Sequence, residues 1–243
     1  MSSLKSDLSK GTPPKEHKSD LVREMFDQIA DRYDLMNDLI TGGMHRLWKS
    51  KAISRLDIQP GDRILDLCCG SGDLSAMIVD RYPDAMVVGL DFSEQMLSHA
   101  RVKYFNPKIN FQYGDATQLT FQDSHFEGCV ISFGLRNVSN YAKCLSEIHR
   151  VLQIGGKVVI LDLSYPGGFW DWLTRPFRFW FLPLIGKLIA GNAAAYSYLP
   201  NSIRQYLNQK ELADLMYQCG FRQISYENIL GGNVALHIGV KER

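Results

Sequence analysis

Between Arg63 and Leu163 the chain alternates short apolar runs with helical patterns five times, and this rhythm restricts the fold more than any other feature. Arg63–Cys69 (RILDLCC) is a near-continuous apolar run of the kind found in strands buried on both faces of a parallel sheet. Leu74–Val79 restores a helical spacing. Ala85–Leu90 is the second strand and ends at Asp91; Ser93–Lys103 is helical; Ile109–Tyr113 and Phe126–Phe133 are the third and fourth strands. Tyr141, Leu145, Ile148 and Leu152 share one face of the next helix, and Lys157–Leu163 is the fifth strand. The fold class this predicts is α/β, with a doubly wound, mostly parallel sheet.

The flanking segments follow other patterns. Residues 1–19 read as a flexible polar arm, and 20–243 as one domain. Val22, Met25, Phe26, Ile29, Tyr33 and Met36 form a stripe that predicts one helical face. Leu47, Trp48 and Ile53 predict a second helix after Gly42-Gly43, so that an N-terminal helical cap precedes the sheet. Near the C-terminus, Asn208 and Glu211 have capping-box spacing, with Leu212, Leu215, Met216 and Cys219 as the apolar face and Gly220 as the stop. Ile224 and Tyr226, then Val234, Leu236, Ile238 and Val240, alternate around Gly231-Gly232 and predict an antiparallel hairpin at the sheet edge. Residues 164–204 form an aromatic insert, a lid or binding element.

Charge and cysteine usage remove several classes of function. Lys+Arg is 27 and Asp+Glu is 26, so the basic excess of a nucleic-acid binder is missing, and no nucleic-acid partner is expected. The five cysteines are odd in number, with Cys68 and Cys69 adjacent, which disfavours a secreted disulfide framework and points to the reducing cytoplasm. The scattered histidines and the lack of CxxC or HExxH predict no metal site. No apolar run is long enough to span a bilayer.

The loop after the first strand is Asp66-Leu67-Cys68-Cys69-Gly70-Ser71-Gly72-Asp73. In such a sheet, ligands bind beyond the carboxyl ends of the strands where the strand order reverses. Gly70 and Gly72 are expected to let backbone approach a ligand closely. A dinucleotide is the first rival, but its fingerprint needs a third glycine where this chain has Ser75, and Asp73 at the helix start would repel a pyrophosphate. Asp66, Asp91, Asp115 and Asp73 instead suit a ligand with positive groups and no phosphate, and S-adenosyl-L-methionine meets that description. Asp91 is placed to accept from both ribose hydroxyls, Asp115 and the Ala116 amide to read the adenine edge, and Ser132 to lie under the reactive centre. Ordinary roles, Asp73 as a helix-start charge and Asp115 as a turn residue, account for each acid taken singly.

LDLCCGSGD, LDFSEQML and ISFGLRNV resemble the motifs of class I, Rossmann-like S-adenosylmethionine-dependent methyltransferases. Phe26–Lys49 (FDQIADRYDLMNDLITGGMHRLWK) and Ser132–Val138 (SFGLRNV) are more specific, and resemble signatures of the demethylmenaquinone/ubiquinone-biosynthesis C-methyltransferase family. The resemblance runs from about Leu21 to Gly239, with Ser71 where that family usually carries Thr. It implies cofactor contacts at Ser71, Asp91, Asp115, Ala116 and Ser132. It also implies a substrate: a reduced quinone ring with a prenyl tail, methylated on ring carbon, either demethylmenaquinol or a benzoquinol precursor of ubiquinone.

On that reading Arg136 and Asn137 face the transferred methyl. Arg136 stabilises a phenolate or orients a water that takes its proton, and Asn137 hydrogen-bonds a ring oxygen. Tyr33, Asp34, Asn37 and His45 cap the site from the N-terminal helices. The aromatic stretch 169–189, with Arg175, Arg178 and Lys187, is the candidate for peripheral membrane contact, a lid packed on the domain being the alternative. A homodimer is the candidate assembly. The rivals are a methyltransferase for another lipid or small aromatic, a non-catalytic cofactor-binding module and a dehydrogenase.

Overall fold

The computed structural model describes residues 15–164 and 202–243, with side-chain environments from Val22 onward. Three helices lead in: α1 (Lys15–Ile29), α2 (Tyr33–Thr41) and α3 (Met44–Leu56). They are followed by β1 (Arg63–Leu67), α4 (Asp73–Arg81), β2 (Met86–Asp91), α5 (Glu94–Lys103), β3 (Ile109–Tyr113), β4 (Phe126–Ser132), α6 (Tyr141–Val151) and β5 (Leu152–Leu163). After the insert come α7 (Gln209–Gln218), β6 (Phe221–Ile229) and β7 (Val234–Lys241).

The sheet order is β3-β2-β1-β4-β5-β7-β6. The strands β1 to β5 pair in parallel, and β7 runs antiparallel to both β5 and β6. Alternate side chains leave opposite faces of each strand. Leu65, Cys129, Ile131, Val158 and Ile160 therefore pack with Leu145 and Ile148 of α6 and with Leu212 and Met216 of α7. Ile64, Val130, Val159 and Leu161 pack on the other face with Trp48, Ala52 and Ile53 of α3 and with Leu74 and Ile78 of α4. Burial on both faces explains why the strands read as apolar runs rather than as alternations. Asn208 and Glu211 make the reciprocal capping box expected for α7.

Two expectations are corrected. The arm of residues 1–19 ends in helix, because α1 begins at Lys15. The apolar stripe from Val22 to Met36 is not one helix: a 3₁₀ turn, Ala30–Arg32, separates α1 from α2. With that turn in place, Asp27 of α1 accepts from the Ser93 hydroxyl while Asp34 of α2 accepts from the Ser71 hydroxyl. Leu47 faces outward at 71% exposure, while Trp48 turns in against Phe133. Of the aromatic insert 164–204, residues 165–201 lie outside the described residues.

Candidate active site

The strand order reverses between β1 and β4, since β2 and β3 lie to one side of β1 and β5 to the other side of β4. Beyond the carboxyl ends of these strands lies a cavity of about 250 Å³. Gly70, Asp91, Asp115, Ala116, Ser132, Asn137 and Tyr33 all line it, so the fold brings most of the expected site residues together.

Asp91 is 6% exposed and held from two sides: the Gly70 N–H donates to Oδ2 and the Ser93 N–H to Oδ1, each at 2.9 Å. Burial dominates its ionisation and lifts its pKa to about 6, against the backbone N–H bonds that favour the anion. Asp115 accepts from the Thr117 N–H and hydroxyl through one oxygen, Oδ1. The Ser132 hydroxyl is buried and has no hydrogen-bond partner among the described residues. Leu90, Phe92, Met96 and Val138 supply apolar walls. An acid at the end of β2, a second acid after β3 and an orphaned hydroxyl at the end of β4 fit the ribose, adenine and reactive end of S-adenosylmethionine.

Other expected residues stand behind the wall. Asp66 is 1% exposed and accepts from the Ser75 hydroxyl at 2.6 Å; burial raises its pKa to about 6. Ser71 spends its hydroxyl on Asp34 at 2.6 Å. Gly70 and Gly72 divide their expected role. Gly70, at φ +55°, lines the cavity, but a Cβ on Gly72 (φ +81°) would meet the Phe111 ring at 2.6 Å, so Gly72 serves packing.

The cavity carries less negative charge than the sequence predicts. Asp73 does not line the cavity; it binds Lys103 at 2.7 Å, the Tyr104 hydroxyl at 2.7 Å and Lys49 at 3.6 Å. Burial opposes its ionisation, but Lys49, Lys103 and Tyr104 together outweigh that and bring its pKa to about 2. Two lysines neutralise the repulsion expected against a phosphate. Among the described residues the acidic lining comes down to Asp91 and Asp115, with Arg23 also present.

Sequence reasoning missed Cys68 and Phe133. Both line the cavity, and both sit at positive φ, 60° and 58°. Such backbone costs about 1–3 kcal/mol per residue and clusters at functional sites. The sequence carries no signal for it, because neither position holds the expected glycine.

A second cavity, about 100 Å³, adjoins the first and shares Phe26, Tyr33, Phe133 and Asn137 with it. Met25, Ile29, Met36, Ile40 and Leu163 make it apolar, while Asn37, Thr41, His45 and Arg136 add polar groups. Arg136 is not a free cation. Its Nη1 donates to Asp162 Oδ1 and to the Phe133 carbonyl, each at 2.5 Å, and its backbone N–H donates to Asp162 Oδ2 at 3.1 Å. Arg136 therefore reaches the second cavity as one half of a buried ion pair and not as the lone charge expected.

Cofactor binding should depend on the ionisation of Asp91. Its carboxyl titrates above the usual range, so the anion that accepts hydrogen bonds is present above about pH 6 and lost below it. If only the anion binds cofactor, affinity should fall about tenfold between pH 7.5 and pH 5. Calorimetric titration at the two values checks this; equal affinities would remove Asp91 from the cofactor contacts.

The sheet, with β7 running against β5, is the class I methyltransferase fold, and the chain is an S-adenosylmethionine-dependent methyltransferase. A phosphoethanolamine N-methyltransferase 2 of Haemonchus contortus, solved with S-adenosyl-L-methionine, superposes with a TM-score of 0.66 at 17% identity, over 90% of this chain and 60% of that one. Within the class, residues 14–241 match the ubiE/COQ5 methyltransferase family, and the chain belongs to it. It is 40% identical over 238 residues to the ubiquinone/menaquinone biosynthesis C-methyltransferase UbiE of Ectopseudomonas mendocina (strain ymp), covering 94% of this chain and 91% of the relative. The UbiE of Pseudomonas fluorescens (strain Pf0-1) is 39% identical over 234 residues, with the same coverage.

Proposed function

We propose that this enzyme methylates a ring carbon of a demethylated prenyl quinol, converting demethylmenaquinol to menaquinol. The observation that carries this reading is the pair of joined cavities: an acid-lined one for the cofactor, and an apolar one against it with polar groups at one end. The relatives' names, which span ubiquinone and menaquinone, support a quinol of one of these two kinds. The benzoquinol precursor of ubiquinone is the second reading.

Bound S-adenosylmethionine supplies a methyl group that is already electrophilic on its sulfonium. The protein's task is to align a nucleophile with it and exclude water. A quinol ring carbon is a nucleophile because its hydroxyls donate electron density, and more so once one is ionised. Phe26, Tyr33 and Phe133 stand between the cavities and confine a flat ring there. Asn137, on the border, can hydrogen-bond a ring oxygen, and the Arg136–Asp162 pair fixes the loop that carries both Asn137 and Phe133. No helix among the described residues is long and apolar enough to cross a membrane. Peripheral contact with the inner face of the cytoplasmic membrane would bring a poorly water-soluble tail to the enzyme. The segment expected to make that contact, 169–189, lies outside the described residues.

The substrate reading is tested by incubating the enzyme anaerobically with cofactor and each prenylated demethyl substrate in turn, naphthoquinol and benzoquinol, reduced and oxidised. S-Adenosylhomocysteine should form with the reduced naphthoquinol and not with the oxidised quinone. Equal turnover of the oxidised form would refute a quinol nucleophile, and turnover of the benzoquinol alone would favour the second reading.

A further inference from the structure

The proposed chemistry needs an acceptor for the ring hydroxyl's proton, and among its described lining residues the second cavity contains one group suited to it. Burial raises the Tyr33 pKa, against the Asn37 hydrogen bond and the nearby Arg136, so Tyr33 stays protonated at neutral pH. Arg136 cannot give up its proton, and Asn37, Asn137 and Thr41 have no basic lone pair. Among the described lining residues that leaves His45.

His45 sits in the first turn of α3 and is 2% exposed. Its Nε2 lies 2.8 Å from Asp38 Oδ1 on α2, across the Gly42-Gly43 turn. The Asp38 carboxyl is held below its usual range by the His45 hydrogen bond first and by Arg46, which binds Oδ2 at 2.8 Å, so it is an anion that can only accept. The ring proton of neutral His45 therefore lies on Nε2, and Nδ1 carries the lone pair. Nδ1 is buried and has no hydrogen-bond partner among the described residues. Such an atom costs free energy unless a ligand or water meets it.

The geometry points to His45 as the general base for the quinol hydroxyl, with Asp38 as the residue that fixes its tautomer. This inference rests on the quinol reading above. His45 Nδ1 takes the proton of the ring hydroxyl, and the oxygen, now anionic, pushes electron density onto the ring carbon. As the carbon–methyl bond forms, the methyl–sulfur bond breaks and leaves its electron pair on sulfur. The ring carbon's own hydrogen then departs to water as a proton, and His45 returns its proton to the ring oxygen. One proton is released per methyl transferred. The charged groups around His45 keep the base form ready: burial lowers its pKa below the usual 6.5, as do Lys49 and Arg46, against Asp38, which raises it. The start of α3 acts in the same direction as the lysine and arginine.

Two variants and two readouts test this. His45→Gln keeps an amide donor for Asp38 but loses the base, and Asp38→Asn lets the side chain donate to Nε2, which moves the ring proton to Nδ1. With the naphthoquinol, each should lower kcat about 100-fold. The wild-type kcat should fall as pH drops through a value under 6.5, and the His45→Gln profile should lose that limb. The second readout needs no cofactor: the absorbance of a bound prenylated 4-methoxy-1-naphthol, which cannot be oxidised to a quinone. Its hydroxyl should ionise at lower pH on the wild type than on either variant. A His45→Gln enzyme with more than half the wild-type kcat, or equal ionisation of the bound naphthol on all three proteins, overturns the assignment. A wild type that forms no S-adenosylhomocysteine with either quinol instead overturns the substrate reading.

Discussion

Asp91→Asn is expected to raise the dissociation constant for S-adenosylmethionine more than 100-fold while leaving the fold in place. The carboxylate sits at the carboxyl end of β2, anchored by the Gly70 and Ser93 amides, with its oxygens at the cavity wall. Hydrogen bonds to a charged acceptor contribute about 1.5–3 kcal/mol each. Two ribose hydroxyls lost as partners come to about 3–6 kcal/mol, and 1.4 kcal/mol is a factor of ten. The amide keeps one acceptor oxygen for the loop and turns its NH2 toward the other backbone N–H, a cost of about 1–3 kcal/mol. It also removes a buried carboxylate whose raised pKa shows that its ionised form is costly in the free protein. The free variant should therefore melt within a few degrees of wild type, but should no longer gain stability when cofactor is added. Calorimetry and thermal melts give both quantities. A change in affinity of less than about threefold would mean that the ribose is held elsewhere.

The second large effect belongs to the Arg136–Asp162 pair, whose two side chains are 9% and 3% exposed. Removing one member of a buried pair leaves an uncompensated charge and costs about 3–5 kcal/mol. For a chain of this size that lowers the melting temperature by about 6–20 °C. Arg136→Ala and Asp162→Ala should each show this loss. The double replacement Arg136→Met with Asp162→Leu should recover much of it, because no charge is then stranded. Turnover should stay low in all three, since the loop that carries Phe133 and Asn137 is no longer pinned to β5. Single variants that melt with wild type would show that the pair does not hold the loop. A double variant with normal turnover would show that neither side chain is needed for the chemistry.

The sheet was legible because buried parallel strands must be apolar and must alternate with helices, and both constraints leave marks at fixed spacing. Asp91, Asp115, Ala116 and Ser132 were legible for a related reason: each stands at or just after the carboxyl end of a strand, where such sheets bind ligands. The failures came from contacts that spacing cannot encode. Asp73 looks like a free anion in the sequence, but Lys49 and Lys103 reach it from other helices. Asp66 accepts from Ser75, and the Ser71 hydroxyl donates to Asp34 on α2, so both are tied into the wall behind the cavity. Arg136 looked like a lone cation because its partner, Asp162, is 26 residues away on β5. The positive φ of Cys68 and Phe133 is a demand of the loops that their residue types do not announce.

The account rests on carbon methylation of a reduced ring held beside the cofactor. The most direct measurement supplies S-adenosylmethionine labelled in its methyl group together with prenylated demethylnaphthoquinol under anaerobic, reducing conditions, and locates the label in the product by mass and NMR spectra. The account predicts the label on ring carbon, with one S-adenosylhomocysteine formed for each methyl transferred. A label on ring oxygen, or an enzyme that binds the cofactor and transfers nothing to either quinol, would contradict it.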